Sequence, residues 1–308
     1  MKTGFICIVG LPNAGKSTLI NHLVGEKVAI VSWRPNTTRN RILGIVTIEE
    51  SQIVFIDTPG IFKPKNKLGD YMMQSVSFSM KDIEALLYVI DASKGMQKAD
   101  YEFLEQHSKE IPIIVAVNKT DTITRETLFG VLSKLNAVQG IKEIVPISAK
   151  RGDNLEELLK VIDPFLQDGV QLYPDEMYTD NTLRFMVAET IREKALYLLA
   201  KEVPHELSVA INSFEFRDDA KGKREVQGDS KRICDINADI VCERQSHKAI
   251  IIGKGGSMLK KIATEARKDI EEMVGCKVYM ELFVKVDENW RDNDYLLREL
   301  GYNKKDLK

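Results

Sequence analysis

Nine residues near the start of the chain, Gly10-Leu-Pro-Asn-Ala-Gly-Lys-Ser-Thr18, restrict its possible folds more than any other stretch. They read G-x-x-x-x-G-K-[ST], which makes Asn13, Ala14, Gly15, Lys16, Ser17 and Thr18 candidates for closing around a phosphate. The run from Phe5 to Val9 is short, apolar and bounded by glycine, which suits a buried strand. From Lys16 to Val24, residues Leu19, Ile20 and Leu23 recur at helical spacing. A strand, a glycine-rich turn and a helix N-terminus together offer free backbone N–H groups and a positive dipole end to an anion. Lys16 then supplies a point charge to the outer phosphates, and the Ser17 hydroxyl is the expected Mg²⁺ ligand. Alone, such a match also occurs as a plain glycine-containing turn, so its weight depends on the motifs C-terminal to it.

Beyond Val24 the chain carries a series of apolar runs that each end in a polar signal. The polar stretch from Trp33 to Arg41, with Thr37 and Thr38, reads as an exposed loop. Two runs, Arg41 to Glu49 and Ile53 to Asp57, fit a hairpin turning at Glu50-Ser51-Gln52. The second ends in Asp57-Thr58-Pro59-Gly60. By itself that is an ordinary turn. After a phosphate loop, Asp57 becomes a candidate to hold a Mg²⁺-bound water, and Gly60 lets a backbone N–H approach a terminal phosphate. Ala85 to Asp91 and Pro112 to Asn118 are further strand candidates separated by helical stretches, a pattern that implies a mostly parallel sheet. The second leads into Asn118-Lys119-Thr120-Asp121. A fixed carboxylate at Asp121 accepts from the N1–H and exocyclic amine of guanine, whereas adenine leaves it facing an unpaired acceptor. Asn118 is placed to tie loops together, the Lys119 stem to cover the base plane, and Ser148-Ala149-Lys150 to present a backbone N–H to guanine O6.

These motifs stand in order at one edge of the inferred sheet. This half of the chain resembles the translation-factor-related GTPases, with the polar loop as their first switch. The resemblance implies that one threonine joins the Mg²⁺ shell when GTP is bound; Thr38 is favoured, with Thr37 as the alternative. Ras-like enzymes place a glutamine directly after the Asp-x-x-Gly turn, and this chain has Ile61, so slow intrinsic hydrolysis is expected. Asn13 resembles an asparagine that helps hold K⁺ in some relatives, and reads equally well as a turn former. Lys63, Lys65 and Lys67 read as a solvated face in preference to a nucleic-acid contact.

A chain of 308 residues has room for two domains. Leu155 to Leu166 closes the first as an amphipathic helix, giving a GTP-binding domain over 1–168 and a linker over 169–181. From 182 to 308 the reading is a helix over 183–200, strands near 206–216 and 235–243 around a charged turn from Arg217 to Arg232, then a second informative stretch. There Ile250, Ile251 and Ile252 lead into Gly253-Lys254-Gly255-Gly256, followed by a helix bearing Lys260, Lys261, Arg267 and Lys268 and by an alternating strand over 277–286. A Gly-x-x-Gly turn between helices admits a nucleic-acid backbone, and the three isoleucines form a wall for single-stranded bases. A lone turn of that kind is weak. The whole order, helix-strand-strand-helix-helix-strand, resembles a type II KH domain.

The expected fold is therefore α/β: a P-loop GTPase domain with a mostly parallel sheet, followed by a smaller α+β type II KH domain. With Asn289-Trp290-Arg291 after the last strand, essentially the whole chain resembles the Era family of bacterial GTPases. That resemblance implies GTP and GDP as ligands, binding of the 3′ end of 16S ribosomal RNA through Gly253 to Gly256, Ile250 to Ile252 and Lys260, assistance to 30S subunit maturation, and peripheral membrane association. The alternative is a nucleotide-gated adaptor for a protein or membrane partner. A net charge of -2 excludes a globally basic nucleic-acid binder and leaves room only for a local basic face. Four scattered cysteines suggest neither a disulfide framework nor a zinc site and favour a reduced cytoplasm. The opening residues lack a signal-peptide profile, and no apolar run is long enough for a transmembrane segment.

Overall fold

The computed structural model describes residues 1–199, 206–218 and 232–307. Contacts divide the chain into one unit of residues 1–65, 69–180 and 304–308 and another of 66–68 and 181–303. The first unit is built on β1 (Lys2–Val9), β2 (Ile42–Ile48), β3 (Ser51–Asp57), β4 (Ala85–Asp91), β5 (Ile113–Asn118) and β6 (Ile141–Pro146), in the order β2-β3-β1-β4-β5-β6. All neighbours on this path are parallel except β2 with β3. The connections include α1 (Lys16–Val24), α2 (Lys67–Ser79), α3 (Lys98–His107) and α4 (Arg125–Asn136). Strand β4 is buried along its whole length, as a parallel strand covered on both faces must be. Strand order reverses at β1, which lies between β3 and β4, strands that follow one another in the chain, and this is where an open α/β sheet offers its ligand crevice.

Three differences from the sequence reading have local causes. The hairpin turns at Glu49-Glu50 rather than at 50–52, with Glu49 in the left-handed region (φ 50°), so Gln52 lies inside β3 and is fully buried. Helix α5 (Leu155–Ile162) stops before Leu166 because Pro164 lies in the 3₁₀ turn of residues 163–165 that follows. The stretch beyond it is tied down. Strand β7 (Gln167–Asp168) pairs antiparallel with the start of β1, Ile45 donates its N–H to the Tyr178 carbonyl at 2.9 Å, and the Thr179 hydroxyl donates to the Leu43 carbonyl at 2.7 Å. Gln52 completes the attachment: its amide nitrogen donates to the Tyr173 carbonyl, and its oxygen accepts from the N–H groups of Leu172 and Tyr173.

The second unit contains α6 (Leu183–Leu198), β8 (Ser208–Asp218), β9 (Arg232–Cys242), α7 (Gln245–Ile252), α8 (Ser257–Val274), β10 (Lys277–Val286) and the short α9 (Asp294–Glu299). Its sheet runs β10-β9-β8, with β10 parallel and β8 antiparallel to β9, the pairing of a type II KH fold. Val278 and Val284 of β10 enter a core with Ile236 and Ile240 of β9 and Ile262, Ala266 and Ile270 of α8. Most of the charged turn expected between Arg217 and Arg232, residues 219–231, lies outside the described residues.

Candidate nucleotide and RNA sites

The strand β1, the loop after it and the N-terminus of α1 form the floor of a cleft of about 480 Å³ lined by Asn13, Lys16, Ser17, Thr38, Gly60 and Lys119, among others. Gly15 sits immediately before α1 with φ 100°. A Cβ there would lie 2.2 Å from the Asn118 amide nitrogen, so the loop and the base-reading turn approach closely only because this residue is glycine. Asn118 holds three segments together. It donates to the Ala14 carbonyl at 2.8 Å and accepts from the N–H groups of Lys119 and Ala149 at 2.8 and 2.9 Å. Ser148 donates its hydroxyl to Asp121 at 2.7 Å, which fixes the carboxylate assigned to guanine. Ala149 and Ser148 are buried, and Lys150 is exposed.

At the phosphate end, Ser17 Oγ lies 2.8 Å from both Thr38 Oγ1 and Asp57 Oδ2. Thr37 is turned elsewhere, its hydroxyl donating to the Arg34 carbonyl. Of the two threonines, Thr38 is therefore the one gathered with Ser17 and Asp57. The first-switch stretch is also less exposed than its polar sequence implies: Arg34, Thr38 and Arg39 are buried, while Trp33 is 65% exposed. Ser17, Thr38 and Asp57 form a hard-oxygen set, and Asp57 Oδ1 is buried with no hydrogen-bond partner, so the residues fit Mg²⁺. Burial pushes the Asp57 carboxyl up to about 6, against the opposing pull of Lys16 and of the Ser17 and Thr38 hydroxyls. Burial likewise lowers Lys16 to about 8, with Asp57 opposing. Both shifts describe charges held out of water, the condition in which they act most strongly on a phosphate. Thr18 and Gly60 also line the cleft, and the Ile61 side chain packs against the apolar cluster around Cys7, Val9 and Tyr88.

In the second unit, the turn between α7 and α8 has Gly253, Gly255 and Gly256 at φ 71°, 59° and 79°. A Cβ on Gly253 would meet Met258 at 2.8 Å, so the turn is closed to other residues at that point. Lys254 and Gly255 are exposed at its tip, and Lys260, Lys261, Arg267 and Lys268 are exposed along α8, with Lys268 paired to Glu265 at 2.8 Å. The expected wall of three isoleucines needs correction. Consecutive positions on α7 point in different directions, and Ile251 is 0% exposed in the core. Ile250, at 48% exposure, and the partly buried Ile252 remain available. The Asn289-Trp290-Arg291 tail is a latch: Trp290 is fully buried and donates to the Glu206 carbonyl at 3.0 Å, while Arg291 pairs with Glu243 at 2.6 Å and Glu206 at 3.0 Å.

A family model described as 50S ribosome-binding GTPase matches residues 5–119, and a KH domain model matches residues 202–291. GTPase Era of Clostridium kluyveri is 47% identical over 303 residues, covering 98% of this chain and 99% of that protein. The chain belongs to the Era family of GTPases. GTPase Era of Clostridioides difficile is 46% identical over 306 residues, 99% of both chains. A crystal structure of Era in complex with MgGDPNP and nucleotides 1506–1542 of 16S ribosomal RNA superposes with a TM-score of 0.90 at 39% identity, covering 98% of this chain and 99% of that one. An Aquifex aeolicus Era variant bound to GDP·AlF4⁻ gives a TM-score of 0.90 at 40% identity, covering 98% and 100%. This Era-family chain is thus a GTPase with a C-terminal KH domain. Sequence reasoning passed over Asp91 and Ser93, which also line the cleft. The signal was there, because Asp91 closes a buried strand just as Asp57 does.

Proposed function

We propose that this chain couples GTP binding and slow hydrolysis to capture of the 3′ end of 16S ribosomal RNA, and that it assists maturation of the 30S subunit. The observation that carries the reading is the Gly253–Gly256 turn: three glycines with positive φ at the head of a helix that exposes Lys260, Lys261, Arg267 and Lys268, in the same chain as a complete phosphate loop. The turn lets a sugar-phosphate backbone approach, Lys254 and Lys260 neutralise it, and Ile250 and Ile252 face the bases. At the other site, Asn13 to Thr18 and Gly60 hold the phosphates; Ser17, Thr38 and Asp57 hold Mg²⁺; Asn118, Lys119, Asp121 and Ser148 to Lys150 hold guanine. Bound Mg²⁺ supplies neutralisation of the charge that builds on the phosphoryl oxygens. Lys16 adds its own charge there, and Asp121 excludes adenine.

Ile61 has no group to orient a water, which supports slow turnover. We also infer a K⁺ contribution through Asn13, whose side-chain amide bridges to the Trp33 carbonyl at 2.9 Å. Hydrolysis is then faster in K⁺ than in Na⁺ at equal ionic strength, and equal rates remove the idea. The compartment that goes with this reading is the cytoplasm, with any membrane association peripheral, since among the described residues no helix is long and apolar enough to cross a membrane.

The deciding experiment is binding to a 16S rRNA 3′-end oligonucleotide, with a scrambled control, in GDP and in a non-hydrolysable GTP analogue. Sequence-dependent binding that strengthens with the analogue and weakens steeply with salt supports the proposal. Gly253→Asp should abolish it and leave GTP turnover intact. Binding indifferent to sequence and nucleotide would leave a GTPase whose second unit serves a protein or membrane partner.

A further inference from the structure

The nucleotide cleft holds a buried carboxylate to which none of the roles above gives work. Asp91 closes β4 and is 6% exposed. Its Oδ2 accepts from the Lys119 ammonium at 2.7 Å, and its Oδ1 accepts from the Ser93 hydroxyl at 2.6 Å and the Ser93 N–H at 3.1 Å. Lys94 is a more distant neighbour, its ammonium 3.9 Å from Oδ2. The Lys119 ammonium has a second acceptor, the Asn13 carbonyl in the phosphate loop, also at 2.7 Å. Lys119 itself has φ 66°, a backbone conformation that a lysine keeps only where its surroundings hold it.

A free lysine stem samples many rotamers, and a base stacking on it must freeze them. Here the stem is fixed at both ends, by the strained backbone at one and by two oxygens at the other. Of these oxygens only Asp91 carries charge, and an ionised acceptor forms the stronger bond to an ammonium. Three hydroxyl, amide and ammonium donors hold the Asp91 carboxyl below the ordinary carboxylate range despite its burial, so it stays ionised where guanine must bind.

We propose that Asp91 is a positioning residue for the guanine nucleotide: it anchors the Lys119 ammonium so that the stem lies ready against the base plane. The inference rests on the assignment of Lys119 to that plane. The same ammonium holds the Asn13 carbonyl, so one ion pair sets the base platform and the phosphate loop together.

A double-mutant cycle tests it, with dissociation constants for GDP and a non-hydrolysable GTP analogue measured by fluorescence on the full chain. Asp91→Asn keeps the shape and removes the charge, and it should weaken both nucleotides by about tenfold, the loss of one charge-assisted hydrogen bond. Single-turnover hydrolysis of bound GTP should fall by less than affinity does. In a Lys119→Met background, Asp91→Asn should change affinity by less than about twofold, because the anchored group is gone. An Asp91 that merely shapes the Ser93 turn costs the same in both backgrounds, and that result overturns the proposal. Asp91→Asn without effect beside a weakened Lys119→Met overturns it while leaving the base-plane assignment standing; Lys119→Met with unchanged affinity removes that assignment and the proposal with it. Asp91→Glu keeps the charge and serves if Asp91→Asn does not fold. Recovery of affinity relative to Asp91→Asn, or to the Lys119→Met protein where Asn is unstable, is the expected result; failure to recover any sinks the role given to charge.

Discussion

At the nucleotide site, Lys16 and Asp57 are withheld from water, while Asp121 is only half-buried. Asp121 is fixed by Ser148 and is the proposed acceptor for guanine, so Asp121→Asn exchanges an acceptor for a donor at that point. Guanine nucleotides should weaken and xanthine nucleotides, which carry an oxygen at C2, should be gained; retained GTP preference in a competition assay counts against the assignment. Asp57 allows a second prediction, for the nucleotide-free protein. Its folded carboxyl titrates near 6, above the ordinary value of 3.8, so the folded state holds the proton more tightly than the unfolded chain does. Between those two pH values the unfolded chain binds fewer protons, and stability is lost as pH rises. Relative to Asp57→Asn, which does not titrate, the native protein should therefore lose on the order of 2 kcal/mol from pH 4 to pH 6, read by urea unfolding at each pH. A gap that stays constant, or that changes in the opposite sense, disproves the burial penalty.

At the scale of elements, the segment after α5 decides how the first unit is finished. Residues 172–179 run against β2 and β3, and buried Gln52 supplies three of the bonds that hold them. Gln52→Leu fills similar space and leaves the Leu172 and Tyr173 N–H groups unpaired. Each stranded donor costs about 1–3 kcal/mol, so unfolding should shift by at least about 2 kcal/mol, and amide exchange at Leu172 and Tyr173 should accelerate before that of β1. This attachment was not legible in the sequence. The segment has no periodicity, its β-pairing amounts to two residues, and Gln52 falls where hairpin logic places a turn. In contrast, α1 begins and ends where spacing predicts, at Lys16 and Val24, because a phosphate loop fixes its start and Gly25 in the left-handed conformation (φ 80°) ends it.

On the scale of the whole molecule, two cores formed by different parts of the chain carry two chemistries. In the second unit, the latch at residues 289–291 joins the last strand's end to Glu206, Glu243 and the Tyr302 ring. Trp290→Ala should destabilise that unit by about 3–5 kcal/mol, the usual cost of truncating a buried aromatic, and should reduce RNA binding at 37 °C. Nucleotide affinity should persist, since Trp290 belongs to the second unit and the cleft residues to the first; a parallel loss of both in the same preparation contradicts that independence.

Local sequence was enough to specify the chemistry. A phosphate loop, a strand-ending Asp57, the Asn118–Asp121 turn and the Gly253–Gly256 turn are short patterns, each ambiguous alone, whose order along the chain points to a GTPase followed by a KH domain. Packing added the contacts that depend on which way side chains point and on partners far away in sequence. Three consecutive isoleucines are equivalent as letters, and only the packing of α7 sends Ile251 inward and leaves Ile250 exposed. Thr38 parts from Thr37 because its hydroxyl meets Ser17, twenty-one residues earlier. Asp91 meets Lys119 across twenty-eight residues because β4 and β5 are parallel neighbours, with Asp91 in register with Asn118. Spacing along the chain encodes periodic contacts within an element, whereas contacts between elements depend on sheet order and register, which emerge only when the chain closes on its core.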